Sequence, residues 1–445
     1  MTVIGLDDTD SRDRGMCTTY VAHLIVERLR EHDADAESSV GRPLLVRLNP
    51  AIKHKTRGNA ALALHTTLDL DVALPIARDV VDRLAETEDP NTNPGVVAAP
   101  DPAEWNQLGA YDAVLAFSRA ALRDRLTIAD VERVLDVTGY RSESWGNGRG
   151  RIGALAAIGA WIGWNSKVDS VDEIFGDWTY ECISYREPEQ WGSRRTVDSD
   201  SIFRAATDGY PAVWDTVDRG EREAVCVPHT PCPILHGIRG DDPSECERIA
   251  KLIESEPVAA REIFVTNQGT DVHLRDGTIG SVADGRAYQV TGTITAPPET
   301  KRGGHVFLTI ESENQGGDTT LQCAAFEPTK RFREHVRALR SGDRITACGE
   351  VSSGTLKLEK FAVRALTTTR RVTPTCPDCE RRMKSAGRNQ GYRCRDCGTS
   401  AEDKVDRPIE RTLELGWYEV PPCARRHIAK PLIRGGFDAQ THPER

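Results

Sequence analysis

The sequence predicts a multidomain α+β chain, and three observations carry that prediction. Its 445 residues exceed what one hydrophobic core ordinarily spans. Strand-length apolar runs alternate with helical periodicity in the first half, then give way to a region of short strands. Two Cys-x-x-Cys pairs near the C-terminus mark a separate, metal-held unit. No apolar run of membrane-spanning length appears and no signal peptide precedes Met1, so a soluble, cytoplasmic protein is expected. The formal net charge of −10 argues against generic electrostatic binding to nucleic acid. Twelve cysteines without a secretory signal read as thiols and metal ligands rather than a disulfide framework.

The first region, residues 1–167, opens with apolar Val3, Ile4 and Leu6, ending in Asp7, Asp8 and Asp10. These read as a short buried strand delivering three carboxylates to its exposed end. Beyond Gly15, Val21, Leu24, Ile25 and Leu29 recur at helical spacing, so Thr18 or Thr19 is expected to cap a helix. A strand, an acidic turn and a helix N-terminus suit Mg²⁺ and phosphate, with hard oxygens for the metal and unpaired N–H groups for the anion. For Asp-Asp-Thr-Asp alone a surface turn is the simpler account; the rest of the chain reverses that.

Residues 43–48 and 60–64 read as the next strands. Between them Lys53, Lys55 and Arg57 alternate, so an extended backbone would turn all three to one side. Phosphate contact and a solvated edge strand both fit those residues. Residues 89–95 form a turn-rich loop. Gly146, Gly148, Gly150 and Gly153 lead into an apolar helix at 154–160, and such a loop exposes backbone N–H groups to an anion, with Arg149 and Arg151 adding charge. No Gly-Lys-Ser/Thr follows, so this is not a Walker A loop. Together with the carboxylates it makes a nucleoside triphosphate site.

In the second region, residues 168–284, a run of β-formers at 178–185 is followed by helices around 201–206 and from Asp242-Pro243, then a strand at 263–265. This alternation suggests an α/β sandwich of ferredoxin-like type. His229, Cys232 and His236 invite a metal reading, but without a closed four-ligand set, pocket lining or core packing is simpler. The third region, residues 285–368, reads as five strands (288–294, 306–310, 319–326, 343–351 and 356–363) with a helix at 330–339 between the third and fourth. That is the order of an OB-fold, which serves as an oligonucleotide binder or as a spacer. Residues 369–445 hold Cys376, Cys379, Cys394 and Cys397, four thiolates at the spacing of a zinc ribbon. Arg381, Arg382, Lys384, Arg388 and Arg393 surround them and suit nucleic-acid backbone. Arg425, Arg426 and Lys430 continue the basic character into the tail.

The motifs Gly-Leu-Asp-Asp-Thr-Asp-Ser (5–11), Gly-Met-Cys-Thr-Thr (15–19), Arg-Leu-Asn-Pro (47–50), Lys-Thr-Arg-Gly-Asn (55–59), Asn-Pro-Gly (93–95), Gly-Arg-Gly (148–150), Pro-His-Thr-Pro-Cys-Pro (228–233) and Thr-Asn-Gln-Gly-Thr-Asp (266–271) occur in this order, ahead of the five strands and the cysteine pairs. The set resembles archaeal tRNA(Ile) 2-agmatinylcytidine synthetases over nearly the whole chain. That resemblance implies a kinase-like N-terminal domain, a ferredoxin-like domain, an OB-fold and a zinc ribbon. It implies ATP-dependent joining of agmatine to the wobble cytidine of an isoleucine tRNA with a CAU anticodon, so that AUA is decoded. The cytosine C2 oxygen is a poor leaving group; phosphorylation makes it a good one, which the agmatine amine displaces. The family also cleaves ATP to AMP and pyrophosphate during the modification.

By resemblance, Asp7, Asp8 and Asp10 hold Mg²⁺ or accept a proton, and Thr18 matches the family's autophosphorylated threonine. Lys55, Arg57, Gly58, Asn59, Gly148, Arg149 and Gly150 hold ATP. The substrate set is Glu181, His229, Thr230, Cys232, Asn267, Gln268, Thr270 and Asp271; Zn²⁺ falls to the four cysteines. Two other classes fit parts of the pattern. A non-catalytic single-strand binder could combine barrel and ribbon without needing the acidic turn. A tRNA thiolation enzyme would use Cys17 or Cys232 as sulfur carrier.

Overall fold

The computed structural model describes residues 1–32, 40–52, 58–100, 109–165, 175, 177–312, 319–426 and 429–445. Nine strands form one sheet: β1 (Thr2–Asp7), β2 (Leu44–Arg47), β3 (Ala60–Thr66), β4 (Gly95–Ala99), β5 (Arg141–Ser144), β6 (Thr179–Arg186), β7 (Val213–Trp214), β8 (Ile234–Gly240) and β9 (Val258–Thr266). Their order is β5-β4-β1-β3-β2-β9-β6-β8-β7. The first two sequence regions therefore share a sheet. The seam is a parallel pairing of β2 with β9, Leu44 opposite Val265 and Leu45 opposite Thr266.

β1 is hydrogen-bonded on both sides and buried on both faces, as its apolar run requires. Ile4 and Leu6 face α1 (Thr18–Glu31) and α2 (Leu70–Leu84); Val3 faces the layer of α3 (Ala110–Arg123), α4 (Ile128–Thr138) and α5 (Gly150–Asn165). Helix α5 is apolar nearly all round because it lies between the sheet and α3. Gly5 lets it approach closely: a Cβ there would collide with the Ala154 carbonyl. The N-terminus of α5 is thereby drawn to the end of β1.

α6 (Ser199–Gly209) and α7 (Pro243–Leu252) cover one face of the β6–β9 half. Helix α1 reaches across the seam to the other face, where the Tyr20 ring packs edge-on against Tyr185 and Trp191. His23 Nδ1 lies 3.0 Å from Glu262 Oε2 on β9.

Five further strands close into a barrel: β10 (Arg286–Ile294), β11 (Val306–Glu311), β12 (Thr320–Ala325), β13 (Arg344–Ser352) and β14 (Thr355–Ala365), with α8 (Phe332–Ala338) between β12 and β13. The ring runs β10-β11-β12-β14-β13 and back to β10, with β12 and β14 its parallel pair. Small antiparallel ladders then carry the cysteine knuckles. The tail does not extend the ribbon. It returns to the barrel as β15 (Gly416–Glu419), antiparallel to β14. Its basic side chains are internally paired, Arg425 with Asp215 and Glu419, Arg426 with Glu350 and Glu359. Buried charges in the tail thus clamp barrel and sheet together.

Candidate active site

The acidic turn is held from three sides. Asp7 Oδ1 accepts the Asp8 backbone N–H at 2.7 Å. Asp8 sits at φ +62°, a left-handed conformation that aspartate tolerates better than most residues. Its Oδ2 accepts from Asn93 N and from Arg149 Nη2, both at 3.1 Å. Thr92 Oγ1 donates to the Asp10 carbonyl at 2.8 Å. The loop before β4 and the loop before α5 both grip the turn, joined to each other by Asn147 N donating to Asn93 Oδ1 at 2.9 Å. Burial pushes the Asp7 carboxyl well above the usual range, and the neighbouring Asp8 adds to the shift. Burial also raises Asp8, against the pull of Arg149. Two carboxylates crowded into little water call for a cation.

Two helix N-termini open beside them. Cys17, extended at φ −156°, occupies the cap position of α1 and makes no side-chain cap bond. The predicted threonine cap is not formed: Thr18 is the first helical residue, its Oγ1 accepting from Thr9 Oγ1 at 3.1 Å, and Thr19 Oγ1 turns to Cys17 Sγ. Helix α5 begins at Gly150, where a Cβ would strike Gly95 N and the Asn93 carbonyl. The α1 end, without a side-chain cap, suits an anion, whereas the first amides of α5 already have acceptors: Gly150 N donates to the Asn93 carbonyl at 3.0 Å, Arg151 N to Gly148 and Ile152 N to Arg149.

These elements line a cavity of about 610 Å³. Asp7, Asp8, Asp10 and Thr18 meet Arg149 and Gly150 there, with Gly58 and Asn59 at the edge of β3. Lys55 and Arg57 lie outside the described residues; their described neighbours Ile52 and Gly58 line the cavity. Gly148, at φ +74°, shapes the loop behind Arg149 without lining it. Leu48, Ile52, Leu126 and Ile128 make an apolar side.

The opposite wall comes from the other half of the sheet and carries Glu181, Thr230 and Cys232. Glu181 stands between two arginines, 3.7 Å from Arg47 Nη2 and 3.2 Å from Arg239 Nε. Neither arginine is given a role by the sequence, where Arg47 enters only as the head of the 47–50 motif, since nothing marks a strand arginine as pointing inward. Burial lowers Arg47 to about 10. Asn267 and Gln268 reach the site through it. Asn267 Oδ1 accepts from Arg47 N at 2.7 Å, its Nδ2 donates to the Arg47 carbonyl at 3.0 Å, and Gln268 Oε1 accepts from Arg47 Nε at 2.9 Å.

Five predicted substrate residues do not line the cavity: Asn267 and Gln268, which back Arg47, and Thr270, Asp271 and His229. Thr270 Oγ1 donates to the Asn267 carbonyl at 2.6 Å. Asp271, at φ +61°, turns towards the barrel, where it pairs with Lys360 and accepts from Lys430 N. His229 is exposed and lies 3.2 Å from Glu223. His236 is buried in the sheet, and among the described residues it forms no metal-ligating group with Cys232 or His229.

The four ribbon cysteines do form such a group. All four sulfurs lie within 4.8 Å of one another. Each pair sits in a turn closed by a backbone hydrogen bond to its first cysteine, Glu380 N donating to the Cys376 carbonyl and Gly398 N to the Cys394 carbonyl. Around them the buried core is only Cys376, Met383 and Cys394. A unit with so little apolar burial depends on a tetrahedral metal, and four thiolates fit Zn²⁺.

Family models match three stretches of the chain. The TiaS TCKD domain matches residues 3–146, the TiaS FLD domain residues 148–273, and the TiaS C-terminal zinc ribbon domain residues 373–413. The curated isoleucine-tRNA 2-agmatinylcytidine synthetase TiaS of Haloquadratum walsbyi is 52% identical over 480 residues, covering 100% of both chains. A crystal structure of TiaS in complex with its isoleucine tRNA and ATP superposes with a TM-score of 0.85 at 38% identity, covering 100% of this chain and 99% of that one. A complex of TiaS with the same tRNA, AMPCPP and agmatine gives 0.83 at 36%, with the same coverage. With agreement along its whole length, the chain belongs to the TiaS family of isoleucine-tRNA 2-agmatinylcytidine synthetases.

Proposed function

We propose that this protein ligates agmatine to C2 of the wobble cytidine of an isoleucine tRNA with a CAU anticodon, at the expense of ATP, so that AUA is decoded. One observation carries the reading: a single cavity gathers three carboxylates, two helix N-termini and Arg149 on one wall, with Glu181 facing them from the other. Phosphoryl transfer needs positioning and charge neutralisation more than covalent help, and this wall offers both.

The chain's own groups divide the work. Arg149, the Gly150 end of α5, Gly58 and Asn59 hold the triphosphate, with Lys55 and Arg57 completing the set. The apolar side at Leu48, Ile52, Leu126 and Ile128 takes a nucleobase. Asp7, Asp8 and Asp10 form a hard-oxygen set fitting Mg²⁺, which when bound neutralises the triphosphate and restores their ionised forms. Thr18, at the start of α1 and inside the cavity, is placed to accept a phosphoryl group that the helix N-terminus would stabilise. The flipped-out cytosine receives a phosphoryl group on O2; the agmatine amine then forms the C2–N bond as phosphate leaves. Among the described residues Glu181 Oε2 is buried with no hydrogen-bond donor, Arg47 Nη2 standing 3.7 Å away, and it takes the agmatine guanidinium, beside Thr230 and Cys232.

The N-terminal half is read as kinase-like and the β6–β9 half as ferredoxin-like. Barrel order and the position of α8 are those of an OB-fold. Barrel and ribbon grip the tRNA body, which makes recognition multivalent. No described helix is long and apolar enough to cross a membrane, and a tRNA substrate suits the cytoplasm. Sulfur transfer through Cys17 is disfavoured because burial pushes its thiol up to about 12. Incubation with ATP, Mg²⁺, labelled agmatine and unmodified tRNA, followed by nucleoside mass analysis, tests the reading. Asp8→Asn serves as control, and a tRNA that never gains label overturns it.

A further inference from the structure

The cavity wall at residues 228–234 holds its shape from behind. This stretch carries Pro228, Pro231 and Pro233, and only its last residue, Ile234, belongs to a strand. Four of its carbonyls turn instead towards one guanidinium. Arg195 Nε donates to the Ile234 carbonyl at 2.8 Å and Nη1 to Pro228 at 2.9 Å. Its Nη2 reaches the Thr230 carbonyl at 3.0 Å and both the carbonyl and the Sγ of Cys232 at 3.1 Å. Arg195 itself does not line the cavity, whereas Pro228, Thr230, Cys232 and Ile234 do. Its own backbone is tied down next door: Thr196 N donates to Glu256 Oε2 at 2.7 Å, and Glu256 is paired with buried Arg186.

We infer that Arg195 is a positioning residue for the guanidinoalkylamine substrate, setting the wall at Thr230 and Cys232 against which agmatine lies. The inference rests on the placement of agmatine beside Glu181 proposed above. A planar fork of five donors can satisfy inward carbonyls at several angles at once; an ammonium offers three donors from one nitrogen and cannot span them. Loss of the fork leaves the proline-rich loop tied to the sheet only at its end, where Arg186 N donates to the Pro233 carbonyl at 2.9 Å, so that Thr230 and Cys232 lose their brace. The triphosphate wall is built from other elements and stays as it is.

The test is steady-state ligation by full-length Arg195→Ala, Arg195→Lys and Glu181→Gln, with KM measured separately for agmatine and ATP. Arg195→Ala is expected to raise the agmatine KM about tenfold or more while the ATP KM moves less than about twofold. Arg195→Lys, which keeps the charge and is the milder change to the fold, is expected to raise the agmatine KM about threefold and so recover part of the loss. A one-carbon-longer homologue of agmatine should be discriminated less well by both Arg195 variants than by the native protein. Parallel rises in both KM values, or an Arg195→Lys protein with native agmatine KM and discrimination, overturn the proposal. If Glu181→Gln raises the agmatine KM and the Arg195 variants do not, the positioning role falls and the agmatine site stands. If none of the three moves it while ligation continues, the site and the role fall together.

Discussion

Arg149 Nη2 stands 3.1 Å from Asp8 Oδ2, joining the loop that enters α5 to the turn that ends β1. Neither side chain is fully buried, and the pair partly neutralises a turn that also holds Asp7 and Asp10. The contact ties an acidic cluster to a glycine loop at one cavity wall. Removal of Arg149 leaves Asp8 without its only described ion pair and takes one charge-assisted donor from the triphosphate. Arg149→Ala is expected to lower kcat/KM for ATP by about 10- to 100-fold, the range for one hydrogen bond to a charged group. Asp8→Asn keeps the shape and tolerates the left-handed backbone, so its loss of ligation would report charge alone. ATP kinetics of both proteins check this.

Gly153 gives a second handle on the carboxylates. A Cβ at this position of α5 would fall well inside contact distance of the Asp7 carboxylate. In an ordinary helix interior, alanine is better than glycine by about 1 kcal/mol. Here overpacking costs about 1–3 kcal/mol, and the intruding methyl displaces a residue assigned to the metal site. Gly153→Ala is expected to lower the melting temperature and to cut ligation by more than the lost stability explains. Thermal melting and initial rates, measured on the same preparation, separate the two effects.

The ribbon should be separable from the rest. Its few buried side chains depend on metal, while the tail beyond it returns to the barrel and is locked by Arg425 to Asp215 and Glu419. Asp218, fully buried, receives Arg331 Nη1 at 2.8 Å and Cys423 N at 3.3 Å, a second latch. Cys394→Ser is therefore expected to abolish a one-per-chain zinc content and weaken tRNA binding about tenfold or more, leaving ATP affinity unchanged. Metal analysis and a tRNA titration decide it; a collapse of ATP binding would show the latch insufficient.

Much of this was legible because chemistry imposes spacing. Four cysteines at Cys-x-x-Cys intervals report a metal before any fold is known, and Asp7, Asp8 and Asp10 after an apolar strand report a carboxylate cluster. Barrel strands announced themselves by alternation to within a residue or two. What escaped was non-local. The seam of Leu44 with Val265 pairs strands far apart in sequence, so two expected domains share one sheet. Arg47 gains its place from Asn267 and Gln268, which no local pattern links to it. Asp271 lies three residues beyond Gln268, yet a left-handed turn carries it out to Lys360 and away from the cavity.

Half-buried His65 and buried His273 make the fold sensitive to acid. Trp161 Nε1 donates to His65 Nδ1 at 2.9 Å, which requires that nitrogen to be unprotonated, and burial lowers the His65 pKa from 6.5 to about 4. His273, whose Nδ1 lies 2.9 Å from the Leu122 carbonyl, is lowered to about 4 by the same cause. A folded pKa below the unfolded one means that the unfolded chain binds the proton first. Stability is then complete above pH 6.5 and drains as pH falls towards 4, by about 1.4 kcal/mol per pH unit per histidine. Asp7 works with the opposite sign, since its raised pKa adds stability as pH falls. Comparing native protein with His65→Gln cancels that contribution, because glutamine can accept from Trp161 but does not titrate. Between pH 7 and pH 5, urea unfolding should show the native protein losing about 2 kcal/mol more than the variant. Equal losses would mean that His65 is protonated in the folded state, at odds with an indole N–H aimed at its Nδ1.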